Sequence, residues 1–115
     1  MGDRVLKAVA NILSETLSPH MVARYGGEEF VALFPDTDSQ TAFDLIEAAR
    51  LAVADKYFRV RETDDPLGRV TFSAGIATTK IDPKQALIEA DQALYQAKSN
   101  GRNQTIRWYM LQAAA

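Results

Sequence analysis

The chain has 115 residues, 47% of them hydrophobic, which suits one domain with a single core. Its formal net charge of -2 argues against a generally basic nucleic-acid binder, and the absence of cysteine excludes a disulfide framework or a thiolate metal site. No apolar run approaches the roughly 18 to 20 residues that span a bilayer and the N-terminus lacks a signal-peptide pattern, so the expectation is a cytoplasmic protein with no direct membrane contact.

From Asp3 to Leu17, the residues Val5, Leu6, Val9, Ala10, Leu13 and Leu17 recur at helical spacing, which predicts an amphipathic helix with one buried stripe. Ser18-Pro19 ends it, because the residue before a proline is pushed out of the helical region. His20, in the turn that follows, reads as a surface histidine. Two apolar runs, Met21 to Tyr25 and Phe30 to Phe34, then flank Gly26-Gly27-Glu28-Glu29, the pattern of a β-hairpin whose strands belong in a central sheet. The two glycines are expected to make the turn, since glycine takes positive φ and lets a ligand approach the backbone. Glu28 and Glu29 then stand at the tip. Adjacent carboxylates repel each other unless a cation or a basic group offsets the cost, so the pair reads either as a metal-holding site or as a solvated acidic turn.

Pro35-Asp36 closes the hairpin, and Thr37 or Asp38 caps a second helix whose core face is Ala42, Leu45, Ile46, Ala49 and Val53. Tyr57 to Val60 has the composition of a short strand, and residues 61–68 that of a polar loop. Between Arg69 and Thr78, Val70, Phe72, Ala74 and Ile76 alternate with Thr71, Ser73 and Gly75, which predicts a strand with one face on the core. Gly75 within it marks a bulge or the close approach of another backbone. Asp82-Pro83-Lys84-Gln85 is a helix start, with a cap residue, proline at the first helical position and glutamine three after the cap. Leu87, Ala90, Leu94 and Ala97 form its inward stripe, and Asn100-Gly101 stops it. Asp91 falls within that stripe, so it is either hydrogen-bonded inside the structure or turned to a functional cleft. Thr105 to Tyr109 supplies a last strand, and residues 110–115 read as a tail beyond a domain at 1–109. This order predicts an α/β fold of the α+β sandwich kind, with a mostly antiparallel central sheet flanked by helices. No phosphate-cradling Gly-x-Gly-x-x-Gly loop and no Ser/His/Asp arrangement occurs.

Gly26-Gly27-Glu28-Glu29-Phe30 resembles the signature of GGDEF domains, the diguanylate cyclases, in its Gly-Gly-Glu-Glu-Phe form. Met1-Gly2-Asp3-Arg4-Val5-Leu6 is similar to the family's Gly-Asp-x-Val-Leu helix start, and Ala23-Arg24-Tyr25 to its lead into the hairpin. Residues 70–77 resemble the family's following strand, and residues 90–98 with Gly101-Arg102-Asn103 its last helix. The resemblance runs from Gly2 to about Arg107 and implies a nucleotidyl-cyclase-like palm. It also implies a reaction, the joining of two GTP into cyclic di-GMP with release of pyrophosphate. Each domain of a homodimer would hold one GTP, with Mg²⁺ or Mn²⁺ as cofactor and a sensory or regulatory domain elsewhere in a full-length relative. On this resemblance Glu28 is a metal ligand and candidate general base, and Glu29 supports the metal site. Gly26 and Gly27 let the backbone lie against the nucleotide, Asp3 reads the guanine edge, and Lys98 and Arg102 hold the terminal phosphates. A carboxylate suits the guanine contact because it accepts from both N1–H and the exocyclic amine.

The family's opening strand with Asp-x-Asp-x-Phe-Lys, and the helix and Asn-Asp segment after it, have no counterpart here, so the chain reads as N-terminally truncated. A metal site reduced to Glu28 and Glu29 is then expected to bind metal poorly. The alternative to an active cyclase is a catalytically incomplete piece that serves as a nucleotide-binding, regulatory or dimerisation module. Where many relatives carry an Arg-x-x-Asp product-inhibition motif, this chain has Leu17-Ser18-Pro19-His20, which implies that it lacks that feedback site.

Overall fold

The computed structural model describes residues 2–59, 66–78 and 82–108. Among them the elements run α1 (Asp3–Leu17), β1 (Met21–Gly26), β2 (Glu29–Leu33), α2 (Ser39–Asp55), β3 (Tyr57–Arg59), β4 (Pro66–Arg69), β5 (Ala74–Ile76), α3 (Pro83–Ser99) and β6 (Thr105–Arg107). The mixed class of helices on strands is the expected one. Met1, Val60, residues 61–65 of the loop expected at 61–68, Tyr109 and the tail 110–115 lie outside the described residues, while residues 66–68 of that loop belong instead to strand β4. No helix among the described residues is long and apolar enough to cross a membrane.

The stripe of α1 buries Leu6, Val9, Leu13 and Leu17, with Val5, Ala8 and Ile12 partly buried beside it. Against it α2 sets Ile46, Ala49 and Val53, and Val70 completes the cluster. Asp38, rather than Thr37, caps α2: its carboxylate accepts from the Thr41 amide at 2.7 Å, while the Thr37 hydroxyl donates to the Pro35 carbonyl. That amide holds the Asp38 carboxyl below the usual carboxylate range.

The strands depart from the single central sheet that was expected. Among the described residues they form three two-stranded ladders, β1 with β2 and β3 with β4 antiparallel, β5 with β6 parallel. The parallel pair follows from its connection, since β5 and β6 are joined through α3 as a βαβ unit. Val22, Phe30 and Ala32 of the hairpin and Ala74 and Ile76 of β5 nevertheless pack on the same cluster, so side-chain burial unites what backbone pairing leaves separate. The stretch 69–78 shows the same distinction. Pro66–Arg69 is strand β4, paired to β3, whereas residues 70–73 belong to no strand although Val70 is buried and Phe72 half-buried. The alternation recorded burial, which needs no ladder partner.

α3 lies directly on β5. A Cβ at Gly75 would stand 2.1 Å from the Ala90 carbonyl oxygen and 2.3 Å from the Leu94 amide nitrogen, so this glycine serves close approach rather than a bulge. The buried face of α3 is accordingly made of small residues, Ala93 and Ala97. Leu87, expected inward, is exposed because the stripe centres on Ala93. Asp91 is exposed too, so no buried carboxylate needs compensation there.

Arg50 of α2 ties that helix to the segment between α3 and β6. Its Nε and Nη2 donate to the two oxygens of Glu47, and its Nη1 donates to the Asn103 carbonyl at 3.2 Å and to Asn103 Oδ1 at 2.9 Å. The Thr105 hydroxyl donates to Glu47 at 3.0 Å. The Arg50 guanidinium holds the Glu47 carboxyl below its ordinary value of 4.5, and Glu47 in turn raises Arg50. A carboxyl lowered in the folded state contributes stability above its ordinary value and loses it as the pH falls through the folded value. The urea midpoint of the natural chain should therefore fall more steeply below about pH 4.5 than that of Glu47→Gln, as followed by far-UV circular dichroism. Parallel profiles would mean that the pair does not form in solution.

Candidate functional site

The hairpin runs in register from Met21↔Leu33 to Arg24↔Phe30 and then slips, with Gly26 opposite Glu29 and Tyr25 as the extra residue of a bulge. The two-residue loop is therefore Gly27-Glu28, and Gly26 ends β1 instead of sharing the turn as expected. Gly27 has φ of 51°, the left-handed conformation that glycine adopts without a side-chain penalty. Arg24 braces this turn. Its Nε donates to the Gly27 carbonyl at 2.8 Å and its Nη2 donates to the same oxygen, a fork that joins the strand to the loop it leads into.

Glu28 and Glu29 are both exposed at the tip. Among the described residues no three His, Cys, Asp or Glu side chains gather as a metal cage. Two carboxylates fit a hard cation that keeps its waters and arrives with substrate phosphates, which is how Mg²⁺ is usually held. They do not by themselves form a dedicated site.

Beside the hairpin, α1 and the two strands enclose an open groove of about 250 Å³. Asp3, Leu6 and Lys7 line it from the helix, and Val22, Arg24 and Phe30 from the hairpin. Its lining mixes apolar side chains with the charged groups of Asp3, Lys7 and Arg24. Arg24 thus belongs to both the groove and the braced turn.

The third place is the end of α3. Arg102 N–H donates to the Ala97 carbonyl at 2.9 Å and Gly101 N–H to the Lys98 carbonyl at 3.4 Å, the two bonds of a Schellman cap. Gly101 has φ of 112°, and two residues with side chains follow it into the left-handed region, Arg102 at 66° and Asn103 at 48°. Such conformations cost about 1 to 3 kcal/mol each outside glycine, with Asn at the low end. Lys98 lies in the last turn of α3, where the helix dipole favours a cation. Both Lys98 and Arg102 are exposed, and neither side chain has a hydrogen-bond partner among the described residues.

The residues singled out from sequence therefore occupy three places: Asp3 in the groove, Gly26 to Glu29 at the hairpin tip, and Lys98 with Arg102 at the end of α3. The hairpin adjoins the groove through Arg24, whereas Lys98 and Arg102 do not line it. Lys7, Arg24, Phe30, Arg50 and Asn103 were not assigned roles from sequence. Lys7 could have been found one helical turn after Asp3, on the same face. Arg50 gave no signal, because its partner Asn103 lies 53 residues away in the chain. At the turn after α1, Leu17 is a core residue and the His20 ring packs on Phe34 with centroids 4.7 Å apart.

The fold is of the nucleotidyl-cyclase-like class, as its structural neighbours show. The GGDEF domain of DgcB from Caulobacter crescentus, solved in complex with c-di-GMP, matches with a TM-score of 0.88 and 33% identity, over 92% of this chain and 62% of that one. The active GGEEF domain of a diguanylate cyclase from Vibrio cholerae matches at 0.77 and 32%, over 92% of this chain and 67% of the other. The chain belongs to the GGDEF domain family, whose model, described as diguanylate cyclase, GGDEF domain, matches residues 1–104. Among curated relatives, the response regulator PleD of Caulobacter vibrioides is 36% identical over 110 residues, and the diguanylate cyclase DgcP of Pseudomonas aeruginosa 42% over 105. The chain spans 24% of the length of PleD and 15% of that of DgcP.

Proposed function

We propose that this chain is the catalytic portion of a diguanylate cyclase, condensing two GTP into cyclic di-GMP, with each copy of a homodimer holding one nucleotide. The observation that carries this reading is the acidic turn braced by Arg24, a residue that also lines the groove containing Asp3. In this reading the guanine lies in the groove against Leu6 and Phe30, and the Asp3 carboxylate accepts from its N1–H and amine. Gly27, without a side chain, lets the sugar and α-phosphate approach the loop backbone. Lys98 and Arg102 neutralise the terminal phosphates and so favour departure of pyrophosphate as the 3′-oxygen of the other GTP attacks the α-phosphorus. Glu28 and Glu29 would hold Mg²⁺ or Mn²⁺, which when bound neutralises charge at the α-phosphate and lowers the pKa of the 3′-hydroxyl. Glu28 is the carboxylate nearest in role to a proton acceptor for that hydroxyl.

A second reading, a nucleotide-binding or dimerisation module without turnover, is favoured by the two-carboxylate tip, which offers few ligands to a metal. A regulatory partner or sensory domain in the full-length protein is also proposed; the related cyclase SiaD of Pseudomonas aeruginosa was solved in complex with its activator SiaC. A GTP substrate fits the cytoplasm.

The test is incubation of the purified chain with GTP and Mg²⁺, with cyclic di-GMP and pyrophosphate followed by chromatography. Product is expected, and Glu28→Ala should lower its rate by at least about a hundredfold. Equal rates in the two would remove Glu28 from the site. GTP binding without product would favour the second reading.

A further inference from the structure

The left-handed run at Gly101-Arg102-Asn103 is held by more bonds than a surface turn requires. Asn103 N–H donates to Ser73 Oγ at 3.1 Å, and Gln104 Nε2 donates to the carbonyls of Asn100 at 3.2 Å and Arg102 at 3.1 Å. Arg50 adds its two bonds to the Asn103 carbonyl and side chain, and is itself locked by both oxygens of Glu47. Arg50 of α2, Ser73 on the approach to β5 and Gln104 just before β6 thus converge on a backbone that carries the exposed Arg102 guanidinium, which has no partner among the described residues. Non-glycine residues keep positive φ only where the surroundings over-determine them, and such places collect at ligand sites. Among the described residues nothing bonds to the Arg102 side chain, which leaves it available to a ligand.

We infer that Arg50 is a positioning residue for phosphate binding: through Asn103 it fixes the left-handed backbone that aims Arg102, beside Lys98, at the terminal phosphates of a nucleoside triphosphate. This rests on the nucleotide reading above and adds to it a residue that touches no ligand. Arg50 suits the task because its planar fork grips Glu47 on one side and leaves Nη1 for Asn103 on the other.

The experiment titrates the chain and three variants, Arg50→Gln, Arg102→Ala and the double, with GTP in Mg²⁺ and with guanosine by calorimetry. Circular dichroism checks that each is folded. Either single change should weaken GTP about tenfold and leave guanosine unchanged, and the double should be no weaker than Arg102→Ala alone, since both act through one guanidinium. If Arg50→Gln does not fold, Asn103→Ala, which leaves the Glu47 pair intact, takes its place with the same expectation. Losses that multiply in the double, a loss shared by guanosine, or unchanged GTP affinity in Arg50→Gln would overturn the positioning role. A natural chain that binds no GTP would overturn the nucleotide reading and this role with it, an outcome distinct from the others.

Discussion

Gly75→Ala should destabilise the chain by about 3 kcal/mol or more, at the upper end of what overpacking a core costs. The new Cβ would fall 2.1 Å from one backbone atom of α3 and 2.3 Å from another, so no side-chain rotation can relieve it. Either the helix lifts from β5 or the β5–β6 ladder shifts. Both movements open the contact that buries Ala93 and Ala97. With an unfolding slope of roughly 1 to 3 kcal/mol per molar urea, the midpoint should drop by about 1 to 3 M. An unchanged midpoint would show that α3 and β5 do not approach this closely in solution. The same movement would carry the end of α3 with it, so a folded Gly75→Ala chain is also a test of how far Lys98 and Arg102 tolerate displacement.

Removing both cations, in Lys98→Ala with Arg102→Ala, should weaken GTP by about a hundredfold to a thousandfold in Mg²⁺, since hydrogen bonds to charged groups contribute about 1.5 to 3 kcal/mol each. Guanosine, which has no phosphate, should bind as before. Stability should barely change, because both side chains are exposed and unpartnered among the described residues. Competition titration with GTP, GMP and guanosine separates the contributions: the loss should be greatest for the triphosphate and absent for the nucleoside. Equal weakening of all three would place the two cations in a structural role instead. The affinity of the natural chain should also fall with added salt, as a contact between solvent-exposed charges must.

Helices α1 and α2 were legible because their apolar residues repeat over many turns and their ends carry ordinary stop and cap signals. The hairpin was legible from its flanks, but its loop was not: a bulge at Tyr25 shifts the turn by one residue, and such a slip depends on the twist of the paired strands and on the Arg24 brace. Gly75 announced a close approach without saying to what. The strand expected from 69 to 78 failed because alternation reports which side chains are buried, whereas a ladder also needs a neighbouring backbone, supplied to Ala74–Ile76 by β6. For the site, motif resemblance singled out Asp3, the tip and the two cations of α3, all residues with chemistry of their own. Arg50 and Asn103 stayed hidden because their part is a contact between distant segments, and a single sequence carries no sign of that pairing.

Among the described residues the separation of the strands into three ladders also bears on motion. Edges without a shared hydrogen-bond register can open one at a time, so the hairpin and the β5–β6 unit are expected to open separately in local unfolding even though their side chains meet in one core. The acidic tip belongs to the first unit and the basic end of α3 to the second. A triphosphate gripped by both would fasten two separately breathing pieces together, and substrate binding would then complete the folding of the site it occupies.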